Sequence, residues 1–305
     1  MNKPILIQRH SIRRLLTKKT LKSILDAAND APLSAEGDLE FSRFQQFVIH
    51  KIFPGFTYQF CTTSKVELSD SGDISGLKTT NLNLPGDIVA NYLMYADLDE
   101  LSPLVYANPG RALNYTHVCR MERVKEHPFF INHCLKYGIH HAISVGYMHP
   151  GHENTFIAFD YMGDEHNKNW VPFSHVKVEL ASFPFALAWL YREGKFDQSM
   201  LEKFFLLLEG LTENKFLNLR KYINAPLQNY DQQADCLGIK ASTLKEDIAI
   251  TRNLTMEKLG LRINEKGNTP NRVLDQHFGF LQMLGDHTNE LVKIDSTPKI
   301  GVLTQ

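Results

Sequence analysis

Two apolar runs that meet at a Pro-Gly step constrain this chain more than any other part of its sequence. They occur in "HHAISVGYMHPGHENTFIAFDYMG", where Pro150 and Gly151 stand at the centre of a polar turn. Proline and glycine supply the backbone angles that tight turns need, and runs rich in β-branched and aromatic residues on both sides are typical of strands. The segment therefore predicts a strand, a turn and a second, antiparallel strand.

Helical patterns surround this pair of strands. "FTYQFCTT" predicts a further strand, since its aromatic residues alternate, and "SDSGDISG" after it is typical of a polar turn or excursion. Sheets covered by helices form an α/β/α sandwich, here in the α+β class because the sheet is antiparallel. We expect this sandwich over residues 1–195. Apolar spacing places its helices over residues 11–31, 38–52, 87–99, 122–137 (ending at Gly138) and 174–192, where Pro184 must kink or split the helix.

From Leu211 onward the sequence predicts helices only. Residues 196–210 form a short helical linker between the two regions. Gln232–Leu237 predicts one helix, Gly238 a turn, and Ser242 the cap of a second helix. This order is that of a helix-turn-helix. We place an all-α helix-turn-helix domain over residues 211–290 and a tail over residues 291–305.

The helix predicted after the helix-turn-helix favours a homodimer. It begins at Thr269 and Pro270 and carries an apolar stripe through Leu284. Helices in this position often pair two protomers, because dimers read two DNA half-sites. The alternative is that the stripe packs on its own domain.

Composition excludes several classes of protein. The 305 residues are 43% hydrophobic and 22% charged with a net charge of −1, so no overall field attracts nucleic acid or membrane. The four cysteines include no CxxC pair, which fits a reducing compartment. No apolar run approaches the roughly 18 residues of a membrane span, and no secretory signal begins the chain. We expect a cytoplasmic protein without membrane contact; a mitochondrial-type presequence is the minor alternative.

The histidines do not form a recognisable chemical motif. His140 and His141 would point to opposite faces of a strand and so cannot share one metal ion. HExxH, GxSxG and phosphate-binding glycine loops are absent from the sequence. We therefore expect no catalytic residue, metal or cofactor, and a protein that is not an enzyme. An enzyme using the histidine-rich segment is the least favoured alternative.

The C-terminal region resembles the DNA-binding domain of LuxR-type transcriptional regulators. The resembling stretch is "LTENKFLNLRKYI … DQQADCLGIKASTLKEDI … EKLGLR". The residues that match the family pattern are Leu211, Thr212, Leu219, Ala234, Leu237, Gly238, Ile239, Thr243, Leu244, Lys245, Leu259 and Gly260. The resemblance implies that the second helix contacts DNA. The residues we expect at DNA are Lys240, Ser242, Thr243, Lys245 and Arg252.

The upstream region is similar to the autoinducer-binding domain of the same regulators. The similar stretches are "YLMYADLDELSPLVY" and "HPFFINHCLKYGIHHAISVGYMHPGHENTFIAFDY". The resemblance implies a small-molecule pocket, and tyrosines suit such pockets because they combine an apolar ring with a polar group. Ser102 stands where the family has the aspartate that binds an acyl-homoserine lactone, so we expect a different ligand. The predicted ligand contacts are Tyr58, Tyr92, Tyr95, Tyr115, Ser102 and Ser144.

Together these features predict a ligand-responsive, quorum-sensing-like transcriptional regulator that binds DNA and an unidentified signal molecule. Glu246 and Asp247 follow Lys245 in the second helix, and carboxylates are repelled by DNA phosphates. The alternative is therefore a sensor-like protein that has lost DNA binding and acts through protein–protein contacts.

Overall fold

A five-stranded antiparallel sheet organises the fold of this computed structural model. Its strands are β1 (Phe60–Leu68), β2 (Ile74–Leu82), β3 (Ala112–Leu113), β4 (His141–Met148) and β5 (Thr155–Gly163), in the spatial order β2-β1-β5-β4-β3. The structure describes residues 16–52, 60–82, 85–119, 121–150, 152, 154–163, 175–223, 230–236, 239–259 and 283.

The predicted strand–turn–strand segment is confirmed. Strands β4 and β5 pair antiparallel, with His141 opposite Gly163 and Met148 opposite Phe156. Alternate residues along β4 therefore face opposite sides of the sheet. Tyr147 faces one side, where its hydroxyl donates a 2.6 Å hydrogen bond to the carbonyl of Glu179. Gly146 faces the other side.

Helices cover both faces of this sheet, as expected for the α+β class. The face of Tyr147 packs on α1 (Lys18–Asp30), α2 (Ala35–Ile52), α5 (His175–Arg192) and α6 (Gln198–Glu209). The opposite face is covered by α3 (Ile88–Tyr95), α4 (Leu101–Ala107) and short helical turns over residues 115–137. A β-carbon added at Gly146 would lie 3.2 Å from Val105, so glycine permits the close approach of α4.

One predicted helix differs from its expected form. Residues 122–137 form not one regular helix but a 3₁₀ helix, Met121–Glu126, followed by the π-helical turn Phe130–Cys134 and the 3₁₀ turn Leu135–Tyr137. Gly138 ends this segment in the left-handed conformation (φ +69°), as predicted.

Helix α5 is not split at Pro184, which lies inside it. An internal proline costs a helix about 3 kcal/mol. Every residue from Val178 to Leu190 is buried, and each large apolar side chain contributes about 1.5–3 kcal/mol. Burial therefore outweighs the lost backbone hydrogen bond.

The C-terminal region contributes three described helices: α7 (Glu213–Ile223), α8 (Tyr230–Cys236) and α9 (Ala241–Leu259). Residues 237 and 238, at the predicted turn, lie outside the described part, as does the predicted tail helix apart from Met283. Ser242 does not cap α9, contrary to expectation: the amide of Leu244 donates to the carbonyl of Lys240, so the helix opens at Lys240.

The helices α6, α7 and α9 share one apolar core with the sheet. Phe183 of α5 contacts Phe204 of α6 and Phe216 of α7, with ring centroids 5.5 and 6.1 Å apart. Leu219 and Leu244 are fully buried in the same cluster.

A buried ion pair adds a polar contact at this junction. Arg220 of α7 donates to the carboxylate of Glu179 and, at 2.8 Å, to the carbonyl of Gly110. The other oxygen of Glu179 accepts a 2.6 Å hydrogen bond from the amide of Ala112 on β3. The predicted DNA-binding region is thus joined to the sheet by both apolar and charged contacts.

Candidate ligand-binding cavity

A cavity of about 130 Å³ lies between the sheet and the helical layer that contains α3 and α4. Strands β1, β2, β4 and β5 form its floor, and α3, α4 and the turns over residues 115–134 form its roof. An apolar cavity of about 150 Å³ accommodates benzene, so this space admits a small organic group. Its apolar lining includes Val66, Ile74, Leu77, Ile88, Val89, Leu101, Phe129, Ala142 and Met162.

A polar row crosses the floor of the cavity. Thr62, Asp160 and Ser144 lie directly opposite one another on β1, β5 and β4. The Thr62 hydroxyl donates to Asp160 Oδ2 at 3.0 Å, and Ser144 also donates to this carboxyl group. Burial raises the pKa of Asp160, and the charge of Asp99 raises it further, although both hydroxyls act in the opposite direction.

Asp99 organises the roof of the cavity. Its Oδ1 accepts hydrogen bonds from the Tyr115 hydroxyl (2.8 Å) and the Leu101 amide (3.1 Å). Its Oδ2 accepts from the Ser102 hydroxyl (2.5 Å) and, more weakly, from the Tyr92 hydroxyl (3.3 Å). A buried carboxylate is stable when several donors surround it. The 3₁₀ turn Ala96–Leu98 ends immediately before Asp99 and leads the chain into α4.

The tyrosines at the cavity stay protonated. Burial raises the pKa values of Tyr92, Tyr106 and Tyr115 above the usual range, and the neighbouring carboxylates Asp99 or Asp160 raise them further. Neutral phenols can donate, as Tyr92 and Tyr115 do to Asp99. They contribute hydrogen bonds but no charge.

His133 adds a neutral imidazole. Burial lowers its pKa to about 4, although the carboxylate of Asp99 acts in the opposite direction. Its Nδ1 lies 2.8 Å from Oδ1 of Asn91. Because the amide oxygen of Asn91 is an acceptor, Nδ1 carries the proton and Nε2 is left as an acceptor. The π-helical turn brings His133 and its neighbour Cys134 together to the cavity.

Four of the six predicted ligand contacts line this cavity: Tyr92, Ser102, Tyr115 and Ser144. Tyr95 is half-buried in the helical layer and is not among the lining residues. Tyr58 lies outside the described residues. A role in ligand binding stays a prediction for all six.

Sequence reasoning missed the two carboxyl groups that line the cavity, Asp99 and Asp160, and the imidazole of His133. Asp160 interrupts the apolar run "FIAFDYMG", and an acid inside a strand is a signal that could have identified it. Asp99 lies three residues before Ser102 and accepts a hydrogen bond from its hydroxyl, so a carboxylate contacts this predicted ligand-binding serine.

The histidine pair does not contribute to this cavity. Neither His140 nor His141 is among its lining residues, whereas His133 is. In the part of the chain that the structure describes, no group of three or more His, Cys, Asp or Glu side chains is arranged to hold a metal ion.

The residues predicted to contact DNA lie at the start of α9. Lys240, Ser242, Thr243 and Lys245 are exposed there, and Glu246 is exposed beside them. Lys245 Nζ lies 5.7 Å from the ring centroid of Tyr230 on α8. Arg252 lies further along α9, and its side chain is outside the described part.

Among the described helices, none is long and apolar enough to cross a membrane.

Comparison with known proteins gives only distant likenesses. No family model matches the sequence, and no curated protein matches it. The crystal structure of Escherichia coli SdiA has a TM-score of 0.40 at 10% identity, covering 87% of this chain and 98% of that one. SdiA in complex with octanoyl-rac-glycerol has a TM-score of 0.40 at 11% identity, with coverages of 88% and 97%. The N-acylhomoserine lactone-dependent LuxR-family transcription factor CepR2 from Burkholderia cenocepacia has a TM-score of 0.38 at 14% identity, with coverages of 58% and 96%.

Proposed function

We propose that this protein is a ligand-responsive transcriptional regulator in which residues 1–195 bind a small signal molecule and residues 211–290 bind DNA as a dimer. The cavity between the sheet and α3–α4 is the observation that carries the proposal. It combines an apolar lining with a few convergent polar groups, which is the usual composition of small-molecule sites.

The start of α9 supports the DNA-binding part of the proposal. The N-terminal turns of a second helix are the part of a helix-turn-helix that meets bases and phosphates. Here these turns expose two lysines and two hydroxyl groups: Lys240, Lys245, Ser242 and Thr243. Lysines that contact phosphate release counterions, so DNA binding weakens as salt rises.

The contacts of α7 link the two regions. Arg220 joins α7 to Glu179, and Glu179 holds Ala112 on β3, whose neighbour Leu113 lies opposite the cavity residue Ser144. A ligand that prefers one arrangement of the cavity floor can thereby shift the arrangement of the helices. The shift is limited by the ligand's difference in affinity for the two states.

Electrophoretic mobility of genomic DNA fragments with the full chain, at low and moderate salt, tests this proposal. We expect salt-sensitive retardation that is weakened in a Lys240→Ala/Lys245→Ala double variant, with a shallower dependence on salt. Lys203→Ala, an exposed lysine on α6, is the matched control and should bind as the wild type does. Absence of salt-sensitive retardation would refute DNA binding.

A protein–protein role for the helical region is the second candidate. Glu246 is exposed next to Lys245 on α9, and Ile250 on the same helix is 43% exposed. A mixed-charge face with an exposed apolar residue fits a protein partner better than phosphate. In that case the mobility of the DNA fragments would not change in the presence of the protein, while the cavity would still bind its ligand.

A further inference from the structure

The cavity offers a ligand more acceptors than donors. Three hydroxyl groups in the roof, those of Tyr92, Ser102 and Tyr115, donate to Asp99. Two in the floor, those of Thr62 and Ser144, donate to Asp160. A hydroxyl has one proton and two lone pairs, so each keeps only acceptor capacity.

The remaining polar groups change this balance little. The Tyr106 hydroxyl also lines the cavity and adds one donor proton and two lone pairs. The hydroxyls of Ser64 and Thr79 lie 3.0 Å apart and share one hydrogen bond, which occupies one of their two protons. His133 is neutral and presents an acceptor nitrogen, because its Nδ1 donates to Asn91. Within the described chain, no lysine or arginine lines the cavity.

We propose that the cavity binds a protonated amine with a short apolar body, and that the carboxyl groups of Asp99 and Asp160 provide the opposite charge. This inference rests on the proposed sensor function and names its ligand class. An ammonium group brings three donors and no acceptor, which complements the excess of acceptors. A carboxylate or phosphate would instead face two carboxyl groups without any basic residue to offset their repulsion.

The size and lining of the cavity limit the size of the ligand's apolar body. About 130 Å³ is close to the space that accommodates a six-carbon ring. Ile88, Leu101, Phe129 and Met162 surround it with apolar surface. A linear or cyclic body of about six carbons therefore fits.

The carboxyl group of Asp160 responds to a bound cation in a way that a titration can detect. Burial and the charge of Asp99 raise the pKa of Asp160 above its usual range. An entering ammonium ion lowers the pKa of Asp160, so binding releases a proton to the buffer over the pH range in which Asp160 titrates. The other titratable groups at the cavity, besides Asp99, do not change charge near neutral pH: the pKa values of Tyr92, Tyr106, Tyr115 and Cys134 are raised, and that of His133 is lowered.

Isothermal titration calorimetry of the full chain with hexylamine, hexan-1-ol and hexanoate at neutral pH tests the inference. The three probes share one apolar body and differ only in the head group. We expect hexylamine to bind about ten-fold more tightly than hexan-1-ol, because charge-assisted hydrogen bonds are roughly twice as strong as neutral ones. Hexanoate should not bind. In titrations repeated from acidic to neutral pH, the heat of hexylamine binding should also depend on the ionisation enthalpy of the buffer over the range in which Asp160 titrates.

Asp160→Asn is the decisive variant, since asparagine matches the shape of the protonated carboxyl. It should weaken hexylamine about ten-fold, abolish proton release and leave hexan-1-ol unchanged. Asp26→Asn, an exposed aspartate on α1, is the control and should alter none of these values. Proton release by the wild-type chain is an independent readout that needs no variant.

Three results would overturn the inference. Equal affinity for hexylamine and hexan-1-ol, unaffected by Asp160→Asn, would indicate a site for neutral ligands. Binding of hexanoate, or of none of the three probes, would exclude a cationic ligand of this size. Loss of DNA retardation with hexylamine binding intact would instead refute the DNA-binding proposal alone, so the two failures are distinguishable.

Discussion

Removing the buried Arg220 side chain should destabilise the protein far more than removing an exposed arginine would. The side chains of Arg220 and Glu179 are each only 4% exposed. In Arg220→Met, the Glu179 carboxylate would stay buried without its direct ion pair, keeping the Ala112 amide as a donor and the nearby charge of Arg111. Breaking a buried ion pair by removing one partner costs about 3–5 kcal/mol. We expect the free energy of unfolding to fall by that amount.

A second change should restore much of the loss. In Arg220→Met/Glu179→Gln, the buried charge is absent, and the glutamine oxygen can still accept from Ala112. The double variant should lie about 1–2 kcal/mol below the wild type, since one neutral hydrogen-bonding group then lacks its partner. The double variant is therefore expected to be more stable than Arg220→Met alone.

Urea unfolding followed by far-ultraviolet circular dichroism measures both values on the full chain. Lys22→Met/Asp26→Asn removes an exposed ion pair on α1 and serves as the control, with an expected change below about 1 kcal/mol. If Arg220→Met cost no more than this control, or if the double variant were less stable than Arg220→Met, the reasoning about a buried ion pair would be refuted.

Two further predictions concern local features. Because the folded-state pKa of Asp160 is raised above its unfolded value near 3.8, its contribution to stability is fully present at low pH and is lost as pH rises through the folded pKa. Asp160→Asn should therefore be more stable than the wild type at neutral pH, and the urea midpoints of the two proteins should converge as the pH is lowered towards the unfolded value of 3.8; parallel curves would contradict this. Gly138→Ala should cost about 1 kcal/mol by thermal unfolding, because φ is +69° although space for a β-carbon is open; an unchanged midpoint would show that this turn relaxes.

Local patterns in the sequence predicted the elements whose periodicity is strong. The β4–β5 hairpin and α2 appear where apolar spacing placed them. Strand β2 was missed because "ISGLKTTNL" is polar and carries a glycine. It lies at the edge of the sheet, where one neighbour suffices and charged residues such as Lys78 are common. Its pairing with β1 cannot be inferred from its own composition.

In the candidate site, too, some residues could be predicted from the sequence and others depend on the three-dimensional fold. Tyr92, Ser102, Tyr115 and Ser144 were proposed from a family resemblance, and all four line one cavity. Asp160 depends on the register between β4 and β5, which places it opposite Ser144. Asp99 depends on the 3₁₀ turn that precedes α4. A shift of one residue in the strand register would turn Asp160 to the other face of the sheet, so sequence spacing alone could not assign it.

The two contacts between α7 and α5 also determine which helices unfold together. Phe216 packs on Phe183, and Arg220, one helical turn later, pairs with Glu179, so both contacts to α5 lie on the same side of α7. They must break together if α7 separates from α5. We therefore expect the backbone amides of α7 to exchange with deuterium at rates close to those of α5, as members of one cooperative unit. Slow exchange would then continue past residues 196–210 and into α7, with no division of the folding unit at that segment.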